Sequence, residues 1–408
     1  MKHKKQLLQL NAISLLFYAL VFLGLDYINF IDHLNSIGDS IAYKESSRIL
    51  FQEGKIHPFR PLGISFITGL PYLLALSKYY VLINWVLNLL MWLGTIFVIY
   101  KTLTLKMGPQ KSVFLSLVFV LSLGNIVLTG IVLSETSTTL LLAIFCHQLL
   151  KYSISKNYKY IINLAAVLIL LTLIRPGFYY PAIAISIYGF WLIIKNKIPI
   201  RNRALMFIAC FLLILNNSLM FKNYGTFKPS NIDSITLYTY LGAYSQTEVR
   251  NTSTARIQRE RRDKINKMNY PEIGKLAKED FVFQMSYHPF VVIRYYIRNI
   301  LWNSSDGTTT IITSFNKSNS LTKQFLFKLS QSYNILFTLI AVILPFLVFG
   351  TKRKIDLFWI LSTLLVWYII CSSGISYRQG DRFHIVFYPI VLTQICYFLS
   401  NQRARIIA

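Results

Sequence analysis

A chain of 408 residues that is 54% hydrophobic, 15% aromatic and only 14% charged, with mean hydropathy +0.48, has too little polar surface for an ordinary soluble protein. Its formal charge of +26 does not point to nucleic acid, because most basic residues stand in short runs between apolar segments, where they orient membrane helices. The four cysteines, Cys146, Cys210, Cys371 and Cys396, fall inside apolar runs without CxxC or Cys/His spacing, so they read as small core residues and imply neither disulfides nor a cysteine-held metal.

In chain order, MKHKK precedes an apolar run over 7–25, long enough to cross a hydrocarbon core about 30 Å thick. It reads as a retained signal anchor with its N-terminus in the cytoplasm, since no small-x-small cleavage site follows at LGLDYINF. Further helices are predicted at 79–100, 112–132, 135–150, 159–174, 178–194, 204–221, 333–350, 355–374 and 384–400, which makes ten spans with both termini inside. Residues 63–76 are apolar but short, and Gly69 and Pro71 break them. Counting them as a crossing inverts every later loop; as a juxtamembrane or re-entrant helix they leave MKHKK, KTLTLKMGPQK, KYSISKNYK, KNKIPIRNR, TKRK and the NQRAR tail all cytoplasmic. Of the 16 Asp and Glu, only Asp356 then remains on that side.

The predicted fold is an all-α polytopic membrane protein: an N-terminal module over 1–221, a large external loop over 222–332 and C-terminal helices over 333–408. The first external loop, 26–78, concentrates polar chemistry. It carries Asp39 and Tyr43 one helical turn apart, then Glu45, Arg48, Glu53, a Gly54 stop and Arg60-Pro61-Leu62. The large loop contains ARIQRERRDKINK, a solvated helix face, and FVFQMSYHPFVVIRYYIRNILW, patterned as one interfacial helix.

Each candidate residue carries two readings. Asp39 is a helix cap or a reactive carboxylate. Glu135, after Ser134 at a membrane boundary, caps the next helix or serves function, because a carboxylate there is costly unless paired. Arg175 and Arg382 are interfacial anchors or phosphate ligands, arginine being the side chain suited to bidentate phosphate binding. They stand out because, with Arg378, they are the basic residues of the short external loops after the first. His288 before Pro289 reads as structural, and no HExxH-like ligand pair occurs.

Taken together, external Asp-x-x-x-Tyr, a helix ending in Gly, Arg60-Pro61-Leu62, Ser134-Glu135, Arg175-Pro176-Gly177, Asp381-Arg382-Phe383 and Tyr388-Pro389 resemble the GT-C superfamily of membrane glycosyltransferases, of the dolichyl-phosphate-mannose mannosyltransferase or aminoarabinose transferase kind. The resemblance covers most of 1–221 and the C-terminal spans, and reaches the large loop only through the His-Pro segment. This chain has Ser40 where many members carry a second acid, and one proline after Arg60 where they often carry two.

The resemblance implies a polyprenyl-phosphate-sugar donor, a lipid, glycan or protein acceptor, and an external active site in a bacterial inner membrane. Asp39 becomes the general base, and Arg60, Arg175 and Arg382 face the lipid phosphate. Glu135 orients the acceptor or an arginine, with Tyr43 and His288 among the substrate-binding candidates. One base and a preformed leaving group imply a single inverting displacement. A divalent ion shared by Asp39 and Glu135 stays open. So do two other classes: an envelope polysaccharide polymerase or ligase, whose key arginines would lie at 250–262 of the large loop, and a transporter.

Overall fold

Apolar runs of this length satisfy their backbone polar groups within lipid only as helices. Helices are what form: the computed structural model describes residues 2–36, 38–314, 320–350, 355–377 and 379–406, and no strand occurs among them. Six helices, Lys4–Gly24, Ser77–Leu103, Pro176–Lys195, Ile200–Tyr224, Leu321–Gly350 and Gly380–Ser400, are long and apolar enough to cross a membrane. A seventh arises if Pro109–Val120 and Leu123–Gly130, bent by 65° at their junction, count as one span. The helices fit an all-α, multi-pass membrane protein.

All ten hydropathy segments are built on helix, but by length and composition the spans number six or seven. Lys159–Ile174 has 16 residues and Leu357–Ser373 has 17, short of the roughly 20 needed to span the core upright. Glu135–Ser155 has 21 residues but opens with ETSTT and carries Gln148 and Lys151, which lowers its mean hydropathy. The TKRK loop and Arg378 lie outside the described residues.

The distribution of side chains fits lipid on the outside. Phe114 is 72% exposed, Ile194 87% and Phe211 64%, an apolar exterior that would drive aggregation in water. Small polar residues instead face the helix contacts. Asn88 Nδ2 donates to the carbonyls of Thr129 and Ile131 at 2.9 and 3.1 Å, and Trp85 Nε1 donates to Tyr18 Oη at 2.8 Å, interhelical hydrogen bonds of the kind that hold helices together where water is absent. Cys371 is exposed, unlike Cys146 and Cys396; its place on the outer face of Leu357–Ser373 corrects its reading as a core residue.

Close packing at one glycine fixes the N-terminal helices against the bend. Tyr27 Oη donates to the Val127 carbonyl at 2.7 Å, and a Cβ on Gly130 would run into the Tyr27 ring. We expect Gly130→Ala to lower stability by about 1–3 kcal/mol through overpacking, read as a reduced melting temperature of the purified protein.

The segment 39–62 is ordered by its own sequence. Asp39–Glu53 is a helix that ends at Gly54, whose φ of +65° lets its N–H turn back to the Ile49 carbonyl. The chain then runs to Arg60 along a path pinned from the large loop and the preceding helix: Tyr224 Oη donates to the Ile56 carbonyl at 2.7 Å, Ser230 Oγ to that of Phe59 at 3.0 Å, and the Leu62 N–H to Asn216 Oδ1 at 2.8 Å. Beyond it, Leu62–Thr68 and Leu70–Leu73 are separate short helices, divided at Gly69 with Pro71 in the first turn of the second.

In the large loop the charged run forms Thr254–Ile265. Its exposed face is solvated, while Ile257, Arg261 and Ile265 are buried, and Arg261 pairs bidentately with Asp280 at 2.8 Å. The run predicted as one interfacial helix is two, Tyr270–Tyr287 and Pro289–Ser305, with His288 at the break. Pro289 has no N–H to continue the first helix and suits the first turn of the next.

Candidate functional site

Asp39 and Glu135 both stand in the first turn of their helices, and neither cap residue, Gly38 or Ser134, makes a side-chain capping bond. Both carboxylates point instead at arginines. Asp39 Oδ1 accepts from Arg60 Nη2 at 3.0 Å, and its Oδ2 accepts from Arg382 Nη1 at 3.1 Å. Glu135 Oε1 accepts from Arg382 Nε at 2.9 Å and pairs with its Nη2 at 2.8 Å. The cation that bridges the two carboxylates is therefore a guanidinium. Among the described residues no three His, Cys, Asp or Glu side chains converge as a metal site.

Tyr43 is buried and supports this arrangement on two sides. Its ring lies 4.2 Å from the Arg60 guanidinium carbon, and its Oη donates to Ser134 Oγ at 3.1 Å. Arg175, where Lys159–Ile174 gives way to extended backbone, stacks over Phe383 at 4.6 Å. Its Nη1 and Glu135 Oε2 are buried without a hydrogen-bond partner. Asp381, next to Arg382, faces away and accepts from Thr308 Oγ1 at 2.7 Å.

These residues line one cavity of about 720 Å³, within the size range of small-molecule sites. Asp39, Tyr43, Arg60, Glu135, Arg175 and Arg382 all reach it, from four regions of the chain that the fold brings together. His288 does not. It sits at the helix junction, its backbone N–H bonded to the Gln284 carbonyl at 2.7 Å, which corrects its place among the substrate-binding candidates. Glu45, Arg48 and Glu53 also stay out; they pair with one another at the surface.

The cavity adds residues the sequence did not single out. Gln379 Oε1 accepts from Arg382 Nη1 at 3.3 Å, and from the large loop come Lys278 and the Lys228–Asp233 ion pair at 2.7 Å. Phe383 lay in view within Asp381-Arg382-Phe383; the lysines, in a loop rich in basic residues, carry no distinguishing pattern.

Burial pushes the Asp39 carboxyl up, but the charges and hydrogen bonds of Arg382 and Arg60 outweigh it and hold the group below the ordinary carboxylate range. His57, in the same loop, is moved from 6.5 down to about 4 by burial, with the Arg60 charge adding and Glu45 opposing. A depressed histidine makes the unfolded chain the better proton binder. Its contribution is therefore complete above pH 6.5 and is lost as the pH falls toward about 4. We expect stability to fall by up to about 3 kcal/mol between pH 7 and about pH 4.5, and His57→Phe to flatten that slope in thermal melts across the range.

No family model, curated protein or solved structure matches this chain. The functional reading rests on the site alone.

Proposed function

We propose that the chain is a GT-C-type glycosyltransferase that moves a sugar from a polyprenyl-phosphate-linked donor to an acceptor on the external face of the membrane. The observation that carries this reading is the convergence of the partly exposed carboxylate of Asp39 with Arg60, Arg175 and Arg382 on a single cavity. In this reading the ten hydropathy segments all cross or dip into a bacterial inner membrane, local thinning of the bilayer accommodating the shorter helices, with both termini cytoplasmic.

The chemistry follows from the arrangement. Asp39 takes the proton of an acceptor hydroxyl, whose oxygen attacks the anomeric carbon as the bond to the phosphate oxygen breaks. Charge accumulates on the departing polyprenyl phosphate, and the arginines stabilise it there. Glu135 fixes Arg382 in position. One attack opposite one leaving group inverts the anomeric configuration. The acceptor is a lipid, a glycan or a protein carrying such a hydroxyl.

The polysaccharide polymerase or ligase reading needs the arginines of 250–262 at the reacting centre. Arg250 and Arg256 pair with Glu260 at 2.9 and 3.1 Å, and Arg261 is committed to Asp280; the large loop faces the cavity with Lys228 and Lys278 instead.

The test is transfer by the reconstituted protein, given a panel of labelled polyprenyl-phosphate sugars and a membrane extract as acceptor source. Free polyprenyl phosphate should appear in step with labelled product of inverted configuration. Vesicle uptake of label without release of polyprenyl phosphate would replace this reading with the transporter.

A further inference from the structure

Two arginines converge on Asp39, and each is held by something else as well. Arg60 lies on the Tyr43 ring at 4.2 Å, and its side chain is only 14% exposed. Arg382 is anchored by Glu135 at 2.8–2.9 Å and by Gln379 at 3.3 Å. Removing Asp39 would leave both guanidiniums where they are. That is the construction of an anion site, and its occupant in the free protein is a carboxylate of the same chain.

The occupant is the more exposed partner. The Asp39 side chain is 43% exposed and turns about short torsions in the first turn of its helix, whereas both arginines are packed. With one guanidinium on each oxygen, its affinity for a proton is reduced, so in this state it is a poor general base.

Resting on the glycosyltransferase reading, we propose that the Asp39 carboxylate is an internal stand-in for the donor's phosphate, and that the donor binds by displacing it from Arg60 and Arg382. A phosphodiester offers its two free oxygens to the same two guanidiniums. The displaced carboxylate loses both cationic partners, regains basicity and becomes competent to take the acceptor's proton. Donor binding thus switches on the base, which orders the cycle donor first. No bond is made or broken in the exchange: two ion pairs to Asp39 are replaced by two to the phosphate.

The experiment is binding of farnesyl methyl phosphate, a diester whose single charge is constant over the working pH range, to the purified full chain in nanodiscs. We expect Asp39→Asn to bind it about tenfold more tightly than wild type, since no internal anion has to leave. We expect that gain to vanish in Asp39→Asn/Arg60→Gln, because the exchange needs both guanidiniums. Equal or weaker binding by Asp39→Asn overturns the exchange and leaves the transfer reading standing. A gain that persists without Arg60 also overturns it, since that would be repulsion by the carboxylate and not competition for a site. No binding by either wild type or Asp39→Asn removes both readings. Asp39→Ser makes the same comparison where the asparagine variant does not yield folded protein.

Discussion

Asp39→Asn is expected to lower the turnover of sugar transfer by about 10²- to 10⁴-fold, the range that a positioned general base contributes. The substitution keeps the size of the side chain and removes its negative charge, and with it the capacity to take a proton. Stability should change little. The pair with Arg60 is partly solvent-exposed, with Asp39 at 43%, and such pairs contribute about 1 kcal/mol or less; Arg382 keeps Glu135 as a partner. Loss of turnover without loss of fold separates a reactive carboxylate from a cap, whose removal costs stability first. Steady-state kinetics of the reconstituted protein, with donor and acceptor varied separately, measure the effect. An asparagine variant with wild-type turnover would remove Asp39 from the chemistry and take the inverting mechanism with it.

The parts of this site that could be read in the sequence were those that violate the economy of a membrane protein. Glu135 stands at a boundary where a carboxylate is costly, and the structure gives it the buried partner that such a position demands. Arg175 and Arg382 stand apart from the short basic runs between apolar segments, and both reach the cavity. Gly54 stops its helix because a positive φ is needed there. What could not be read is pairing across sequence distance. That Arg382 joins Asp39 to Glu135, 343 and 247 positions away, depends on how three helices cross, and hydropathy carries no information about crossing. Length and composition support fewer spans than hydropathy does for a related reason. Ser122 sits at the bend, where its Oγ accepts from Asn125 Nδ2 three residues on at 3.0 Å, and the ETSTT turn that opens Glu135–Ser155 is buried. A window of mean hydropathy sees such residues only as a weaker signal. His288 shows the opposite error, in which a residue with versatile chemistry occupies a helix junction that needs only its backbone.

Arg382→Lys should be the most damaging conservative change in the chain. Arg382 serves Glu135 with Nε and Nη2, and Asp39 with Nη1, three nitrogens spread across a planar fork. A lysine ammonium concentrates its donors at one point and cannot span both carboxylates. Asp39 keeps Arg60 at 3.0 Å, but Glu135, 2% exposed, has no second ion-pair partner at salt-bridge distance among the described residues and cannot turn to water if the ammonium leaves it. Breaking a buried pair in this way costs about 3–5 kcal/mol. We therefore expect a clearly lower melting temperature together with a loss of transfer of at least about 100-fold. The two effects separate in the double variant Arg382→Lys/Glu135→Gln. Removing the stranded negative charge should restore most of the stability, whereas transfer should stay low, because the guanidinium that faces both Asp39 and the phosphate is still missing. Full recovery of transfer by the double variant would mean that Arg382 serves only to neutralise Glu135, and the bridge between the two carboxylates would then be structural.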